Sequence, residues 1–191
     1  MNMTKKNPIT AMKMLSLRKV NLNHNVHRKV KKVKIKVMGL DMYLYKKTFL
    51  HTGEWVREEK RCKVIVTEGG EPHPTIDPKK IKEIVEEVGY WRKANQIHNW
   101  FVKNVQKDQD DCKEYRVDYE QLRDLLNACE DVLDDHSKAH ELLPSSSGFF
   151  FGNTDYDDYY FEKVQNTYDR LISIMSATDA DTEEYIYQSS W

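Results

Sequence analysis

The stretch LDMYLYK, residues 40–46, alternates strictly between two kinds of side chain. Leu40, Met42 and Leu44 are apolar, whereas the residues between them are polar or aromatic. Because successive side chains of an extended chain point to opposite faces, this period of two predicts a β-strand with one buried face and one amphipathic face. The composition changes just before this stretch, so we expect the strand to open a single domain covering residues 38–191.

Other stretches predict further strands. Trp55-Val56 and the alternating run Cys62–Val66 favour two strands, and Gly69-Gly70 marks a turn after them. Tyr185–Tyr187, near the end of the chain, is interpreted as a last strand that returns to the sheet.

The middle of the chain has helical patterns. Asp77-Pro78 is typical of a helix start, and Ile81, Ile84, Val85 and Val88 fit a helix, although the end Ile84–Val88 could equally be extended. Apolar residues then follow a 3.6-residue period from Tyr90 to Val105, which predicts a helix. Asp118 and Gln121 have the spacing of a capping box and predict the start of another.

A last long helix is predicted from Tyr160 to Met175, with Thr154 or Asp155 as its N-cap, after a short turn over Lys138–Leu143. Strands come first, helices follow and one strand comes last. This order predicts an α+β fold, a small and mostly antiparallel sheet with three to four helices packed on one face.

The composition excludes several classes of protein. The chain has 191 residues, of which 39% are hydrophobic and 32% charged, as in a soluble globular protein. It contains neither the run of about 20 apolar residues that a membrane-spanning helix needs nor the apolar centre of a signal peptide. We therefore expect a cytoplasmic protein without membrane contact.

Motifs for catalysis, cofactors and metals are absent from the sequence. Three cysteines without a C-x-x-C pair indicate neither a disulfide framework nor a zinc site, and no nucleotide-binding or hydrolase signature occurs. Asp110, Asp111 and Cys112 could hold a cation, although adjacent acids are usually solvated surface. A nucleophile–base pair of Cys112 and His98 is conceivable, but nothing in the sequence brings the two together. We predict no enzyme, no cofactor and no metal.

Charge is strongly polarised along the chain, although the net charge is only −1. Residues 1–37 contain 11 Lys or Arg and no Asp or Glu. Residues 108–191 contain 21 Asp or Glu against six Lys or Arg, a net charge of −15. Asymmetry of this kind concerns the choice of partner rather than the fold.

Residues 1–37 are predicted to form a basic, flexible N-terminal arm, which could end as a strand over Val33–Val37. One interpretation is electrostatic attachment to nucleic acid. Its candidate contacts are Arg28, Lys29, Lys31, Lys32, Lys34 and Lys36. The favoured interpretation is an extension without a binding role, because aromatic residues do not interleave with the basic ones.

The stretch EVGYWRKANQIHNWFV, residues 87–102, combines aromatic and polar side chains. On a helix, Trp91, Asn95 and His98 would share one face. The favoured interpretation is that Trp91 and His98 belong to the core. The functional alternative is a pocket for a small molecule such as a nucleotide signal. Its walls would be Trp91, Arg92, Asn95 and His98, with Tyr187 or Trp191 nearby.

The stretch SSSGFFFGNTDYDDYYF, residues 145–161, places three phenylalanines between two glycines and then alternates acids with tyrosines. The favoured interpretation is a loop whose phenylalanines fill the core. The functional alternative is a rigid aromatic and acidic surface for another protein, because the acids would repel phosphate. The partner contacts would be Asp155, Tyr156, Asp157, Asp158 and Tyr159.

Five segments carry a resemblance to a known group of proteins. They are MGLDMYLY (38–45), EVGYWRKANQIHNWFV (87–102), DDCKEY (110–115), ELLPSSSGFFFGNTDYDDYYF (141–161) and YQSSW (187–191). Together they resemble a family of small proteins encoded by bacteriophages, prophages and mobile elements. Members of that family begin at the equivalent of Met38, so residues 1–37 depart from its pattern.

The resemblance implies a phage-related context, in which small accessory proteins often act against host defence, as anti-CRISPR proteins do. The leading hypothesis is a protein that inhibits a host defence nuclease of the Cas9 type by binding it. Its acidic half would occupy a basic nucleic-acid channel through residues 155–158 and the carboxylates of the helix at 118–135. The small-molecule site and the nucleic-acid-binding arm remain alternatives.

Overall fold

The computed structural model describes residues 39–177 and 182–191. Within these residues the chain forms a four-stranded antiparallel sheet, a separate two-stranded sheet and four α-helices. The predicted α+β fold is therefore confirmed. The predicted arm, its possible strand at Val33–Val37 and its six candidate nucleic-acid contacts lie outside the described residues.

The main sheet is built around the strand that the opening stretch predicts. The strands are β1 (Asp41–Phe49), β2 (Thr67–Glu68), β3 (Glu71–Pro72), β4 (Glu83–Arg92), β5 (Tyr115–Val117) and β6 (Glu183–Ser190). Their order in the main sheet is β4-β1-β6-β5, and β2 pairs only with β3. Strand β1 is thus bordered on both sides, and the last strand returns to the sheet as predicted.

The two faces of β1 differ as the alternation predicts. Met42 and Leu44 are fully buried, whereas the rings of Tyr43 and Tyr45 stack at 5.9 Å on the opposite face. Leu44 pairs with Gly89 of β4. A Cβ atom at position 89 would lie 2.9 Å from the Cβ of Leu44, so this close approach requires glycine.

The helices are α1 (Asn95–Asn104), α2 (Tyr119–Asp134), α3 (Ala139–Leu142) and α4 (Asp158–Ser176). Helix α2 begins with the predicted capping box, in which the side chains of Asp118 and Gln121 each accept the backbone N–H of the other, at 2.8 and 3.0 Å. The N-cap of α4 is Asp157, which accepts the N–H of Tyr160 at 3.0 Å. The predicted caps Thr154 and Asp155 are therefore wrong, because both lie too early to reach the free N–H groups of the first turn.

The predicted helix over Tyr90–Val105 begins later than expected. Tyr90 and Trp91 belong to β4, where Trp91 lies opposite Met42 of β1, and α1 begins only at Asn95. Between them, Lys93 adopts a left-handed φ of 54° and donates its N–H to the carbonyl oxygen of Leu40 at 2.8 Å. The extended alternative for Ile84–Val88 is confirmed, since these residues also belong to β4.

The strands predicted at Trp55-Val56 and Cys62–Val66 do not form. This region is irregular apart from a 3₁₀ turn at Glu58–Lys60. Trp55 is 87% exposed. Of the alternating residues, Cys62 is exposed and Val64 and Val66 are only half-buried, so neither segment packs into the core. The alternation is present, but neither segment pairs with another strand among the described residues, and isolated strands are not stable.

The core lies between one face of the sheet and the helices. Its central contact is the ring of Tyr187 on β6, which stacks on Phe101 of α1 at 3.9 Å. The fully buried apolar side chains around it include Leu40, Met42, Leu44, Ile97, Leu122, Leu125, Leu143 and Leu171. None of the helices in the described parts of the chain combines the length and the apolar character needed to cross a bilayer.

Candidate functional site

A chain of four side chains crosses one end of the core. The Nδ1 atom of His98, on α1, lies 2.8 Å from the hydroxyl oxygen of Tyr187. Its Nε2 atom lies 3.0 Å from Oδ2 of Asp110, and the indole N–H of Trp191 donates to Oδ1 of the same carboxylate at 3.1 Å. The network fastens the last strand to α1 and to the loop that follows it.

A neutral His98 satisfies every contact in this network. Its Nε2–H donates to Asp110, and its Nδ1 accepts the hydroxyl proton of Tyr187. Burial lowers the pKa of His98, although the Asp110 carboxylate opposes this effect, and burial raises the pKa of Tyr187. Both side chains are therefore uncharged at neutral pH.

The order carboxylate, imidazole and hydroxyl is also that of a base-activated nucleophile. Here, however, Tyr187 is 0% exposed and its ring is stacked in the core, so its hydroxyl does not reach a substrate. The conceivable pair of His98 with Cys112 does not form, because both ring nitrogens are occupied by Tyr187 and Asp110. The network holds the fold together.

The acids of the Asp110–Cys112 stretch have separate partners. Asp111 pairs with Lys113 at 2.6 Å and accepts the hydroxyl of Tyr115 at 3.0 Å, and the ion pair holds the pKa of Asp111 below its ordinary value. Asp110 is engaged by His98. Among the residues described, His, Cys, Asp and Glu side chains form no cluster of three or more with the arrangement of a metal site.

Asn95, another residue of the predicted pocket, fastens the loop between α3 and α4. Its amide donates to the carbonyl oxygens of Asn153 at 2.7 Å and Phe151 at 3.3 Å, and its Oδ1 accepts the N–H of Ser146 at 3.0 Å. The Asn95 side chain is buried, and its amide groups bond to the backbone of this loop rather than facing a ligand.

Trp91 and Arg92 lie on opposite faces of β4. The indole N–H of Trp91 donates to Thr167 on α4 at 2.9 Å, whereas Arg92 pairs with Asp41 at 2.9 Å on the other side of the sheet. The predicted shared helix face of Trp91, Asn95 and His98 is therefore wrong. Of the six predicted pocket residues, the structure brings together Asn95, His98, Tyr187 and Trp191, around Phe151 and Asp110 rather than around an open pocket.

An open groove of about 550 Å³ lies elsewhere, between the sheet and the second half of α4. Its lining includes Lys46, Arg170 and Tyr185, and none of the six predicted pocket residues. Lys46 is already paired with Glu86 and Glu183, at 3.1 and 3.2 Å. The sequence contains no motif that points to this groove.

The predicted partner contacts at residues 155–159 divide into four surface residues and one structural residue. Asp155, Asp157, Asp158 and Tyr159 are exposed. Tyr156 is half-buried: its ring packs on His140 at 3.8 Å, and its hydroxyl accepts the N–H of Ser145 at 3.1 Å. Tyr156 therefore supports the loop from inside.

Two of these acids also stabilise the local structure. Asp157 caps α4 and accepts a hydrogen bond from the amide of Asn153 at 3.3 Å, and Asp155 accepts from the same amide at 2.9 Å. Each carboxylate has about four acceptor positions. Exposed oxygens thus remain for a partner.

The three phenylalanines of the loop have different environments. Phe151 packs edge-on against His98 at 5.1 Å and against Trp191 at 6.3 Å. Phe149 is 94% exposed. Phe150 is half-buried, and its ring packs edge-on against Phe149 at 4.8 Å. The prediction that all three phenylalanines fill the core is therefore wrong for Phe149, and no local sequence signal distinguishes it from its neighbours.

The helical part of the chain presents an acidic surface to solvent. Residues 118–176 contain thirteen Asp or Glu, all of them exposed, and four Lys or Arg. Glu120 is paired with Arg123 and Asp131 with Lys138, while the remaining two cations lie over the rings of Tyr159 and Trp91. The excess of negative charge is concentrated in this part of the fold, which we call the acidic helical surface.

No family model, no curated protein and no solved structure matches this chain. The resemblance to the phage family therefore stays a prediction. The evidence for a function therefore comes from the residues of this chain alone.

Proposed function

We propose that this chain is a non-enzymatic phage accessory protein that inhibits a host defence nuclease by binding it. The specific target is a Cas9-type nuclease, and the binding element is the acidic helical surface. The observation that carries this proposal is the exposure of all thirteen carboxylates between residues 118 and 176, against four cations.

The charge of this surface matches one kind of partner. A nuclease that holds nucleic acid needs a channel of Lys and Arg side chains to neutralise phosphates. An array of exposed carboxylates fits the same channel electrostatically, and it speeds the encounter by long-range attraction. A nucleic-acid partner for this surface is disfavoured, because like charges repel.

The exposed side chains at residues 155–159 add contacts suited to a protein partner. Tyr159 is 46% exposed beside three acids. Tyrosine combines apolar area with a hydroxyl group, and aromatic residues are enriched in the centres of protein interfaces. A structural role for His98 and Tyr187 fits this proposal, because both side chains are buried and hydrogen-bonded to each other.

The experiment is co-elution of the purified chain with a Cas9-type nuclease loaded with guide RNA. The test variant combines Asp155→Lys, Asp157→Ser and Asp158→Lys, because serine at 157 preserves the N-cap of α4. The control variant combines Glu54→Lys, Glu58→Lys and Glu59→Lys, which changes the net charge comparably at exposed positions elsewhere.

We expect the wild type and the control to co-elute with the nuclease and the test variant to bind at least about tenfold more weakly, with binding that weakens as salt rises. Absence of binding by the wild type would refute the proposed target. Equal loss in both variants would assign the effect to net charge and not to residues 155–158.

A further inference from the structure

The loop between α3 and α4 contains a tight turn with Phe149 at its tip. The N–H of Phe151 donates to the carbonyl oxygen of Gly148 at 3.1 Å, which closes the turn. Phe149 lies between these two residues and is 94% exposed. An apolar ring of this size is stabilised when a partner removes it from water, so its burial in a pocket would favour binding.

The turn is held by contacts on both sides. The carbonyl oxygen of Phe150 accepts the N–H of Leu40 at 3.1 Å, which ties the turn to the start of β1. Asn95 binds the loop at three points, and Phe151 packs against His98. The backbone under Phe149 is thus anchored to the core.

Two glycines allow this backbone. A Cβ atom at position 148 would lie 2.7 Å from the ring of Phe151, and Gly152 has a φ of +92°. The ring of Phe151 can therefore fold over the turn while that of Phe149 points outward. A fixed turn of this kind loses little conformational entropy on binding, which is the advantage of a preorganised contact.

The turn lies beside the acidic segment. The side chain of Lys93 contacts the position of Gly152 and also lines a small cavity with Asp155 and Asp157. The turn that bears the exposed ring and the acids at 155 and 157 therefore both lie next to Lys93. The pattern of one apolar anchor bordered by charged groups is that of a protein interface with a central hot spot and a polar rim.

We propose that Phe149 is the apolar anchor of this surface, and that it enters an apolar pocket rimmed by basic side chains on the protein partner. The inference rests on the proposed function, because the pocket that Phe149 enters is on the same target nuclease. It adds a contact that charge complementarity alone does not require.

The test compares dissociation constants for a guide-loaded Cas9-type nuclease among wild type, Phe149→Ala, Phe149→Leu and Trp55→Ala. Trp55 is the matched control, because it is an aromatic residue that is 87% exposed in a different region. We expect Phe149→Ala to weaken binding at least about tenfold, Phe149→Leu to lie between it and wild type, and Trp55→Ala to bind as wild type does. The melting temperature should not change in any variant, because both side chains lie in solvent.

Three outcomes contradict the inference in distinguishable ways. Wild-type affinity of Phe149→Ala, together with weak binding of the variant Asp155→Lys, Asp157→Ser, Asp158→Lys, would overturn the anchor and leave the proposed function standing. Equal weakening by Trp55→Ala would show that exposed aromatic residues contribute without specificity and would also overturn it. No binding by the wild type would overturn both proposals.

Discussion

Phe149 and Phe151 are two residues apart in one loop, yet the ring of one is exposed to solvent and the ring of the other is packed in the protein. Phe151 packs against His98 and Trp191, whereas Phe149 is 94% exposed. The difference does not come from residue type or local sequence. The difference in burial comes from His98 and Trp191, which are distant in sequence and contact the ring of Phe151 but not that of Phe149.

The same contrast separates the His98 network from the acidic helical surface. In the network, His98 is hydrogen-bonded to both Asp110 and Tyr187. Outside, most of the carboxylates of residues 118–176 have no cation within ion-pair distance among the described residues. Substitutions in the first region should change folding. Substitutions in the second should change mainly binding, provided that the N-cap of α4 at position 157 is preserved.

The largest effect is expected for His98→Ala. This change creates a cavity in the core and leaves the hydroxyl of Tyr187 and the carboxylate of Asp110 without their partner. It should lower the free energy of unfolding by about 3 kcal/mol, measured by urea denaturation. The milder Tyr187→Phe, which removes only the hydroxyl, should cost about 1–2 kcal/mol. A change of less than about 0.5 kcal/mol in His98→Ala would show that the network does not support the fold.

The two phenylalanines provide the second test. Phe151→Ala removes a half-buried ring from its contacts with His98 and Trp191, so it should lower the free energy of unfolding by about 2 kcal/mol. Phe149→Ala should change it by less than about 0.5 kcal/mol, because the side chain is in solvent. Thermal or urea unfolding of the two variants side by side checks this. Equal effects would show that the two rings contribute equally to stability.

The third test concerns the backbone of the turn. Gly152 and Gly70 both have a φ of +92°, but a Cβ atom would meet a neighbour only at position 152, where it would lie 3.3 Å from the Cβ of Lys93. Gly152→Ala should therefore destabilise the protein by about 1–2 kcal/mol. Gly70→Ala, in an exposed turn, serves as the control for backbone strain alone. A larger loss at position 70, seen in urea denaturation, would contradict this account.

The smallest effect is a pH dependence of stability from His98. Its pKa is lowered in the folded protein, so the unfolded chain binds a proton more readily below the ordinary value of 6.5. The stabilising contribution is therefore complete above that pH and is lost as the pH falls towards the lowered pKa. We expect wild type to lose more stability than His98→Asn between neutral and mildly acidic pH. Parallel curves for the two proteins would exclude this role of His98.

The parts of the fold that sequence patterns predict correctly depend on neighbouring residues. The alternation in residues 40–46 predicts β1, and the spacing of Asp118 and Gln121 predicts the start of α2. By contrast, Tyr90 and Trp91 fit a helical period as well as a strand. Their state is decided by pairing with β1, a contact between residues nearly 50 positions apart, which local patterns do not encode.

In the candidate site, too, the sequence predicts which residues are exposed but not which distant residues they contact. The acids at residues 155–158 are correctly expected at the surface, because charged side chains are rarely buried. The partner of His98 at Tyr187 is 89 residues away in sequence, and local patterns do not reveal such a contact. The cap Asp157 cannot be singled out from the sequence, because several acids close together offer the same signal.

Competition with nucleic acid distinguishes occupation of the nuclease channel from binding elsewhere on the nuclease. A fixed amount of a guide-loaded Cas9-type nuclease with labelled target DNA is titrated with the chain, and the bound DNA is measured by fluorescence anisotropy. Wild type should displace the DNA competitively, and the variant with Asp155→Lys, Asp157→Ser and Asp158→Lys should require at least about tenfold more protein for the same displacement. DNA that stays bound while the chain also binds would contradict the claim that the acidic helical surface occupies the nucleic-acid channel.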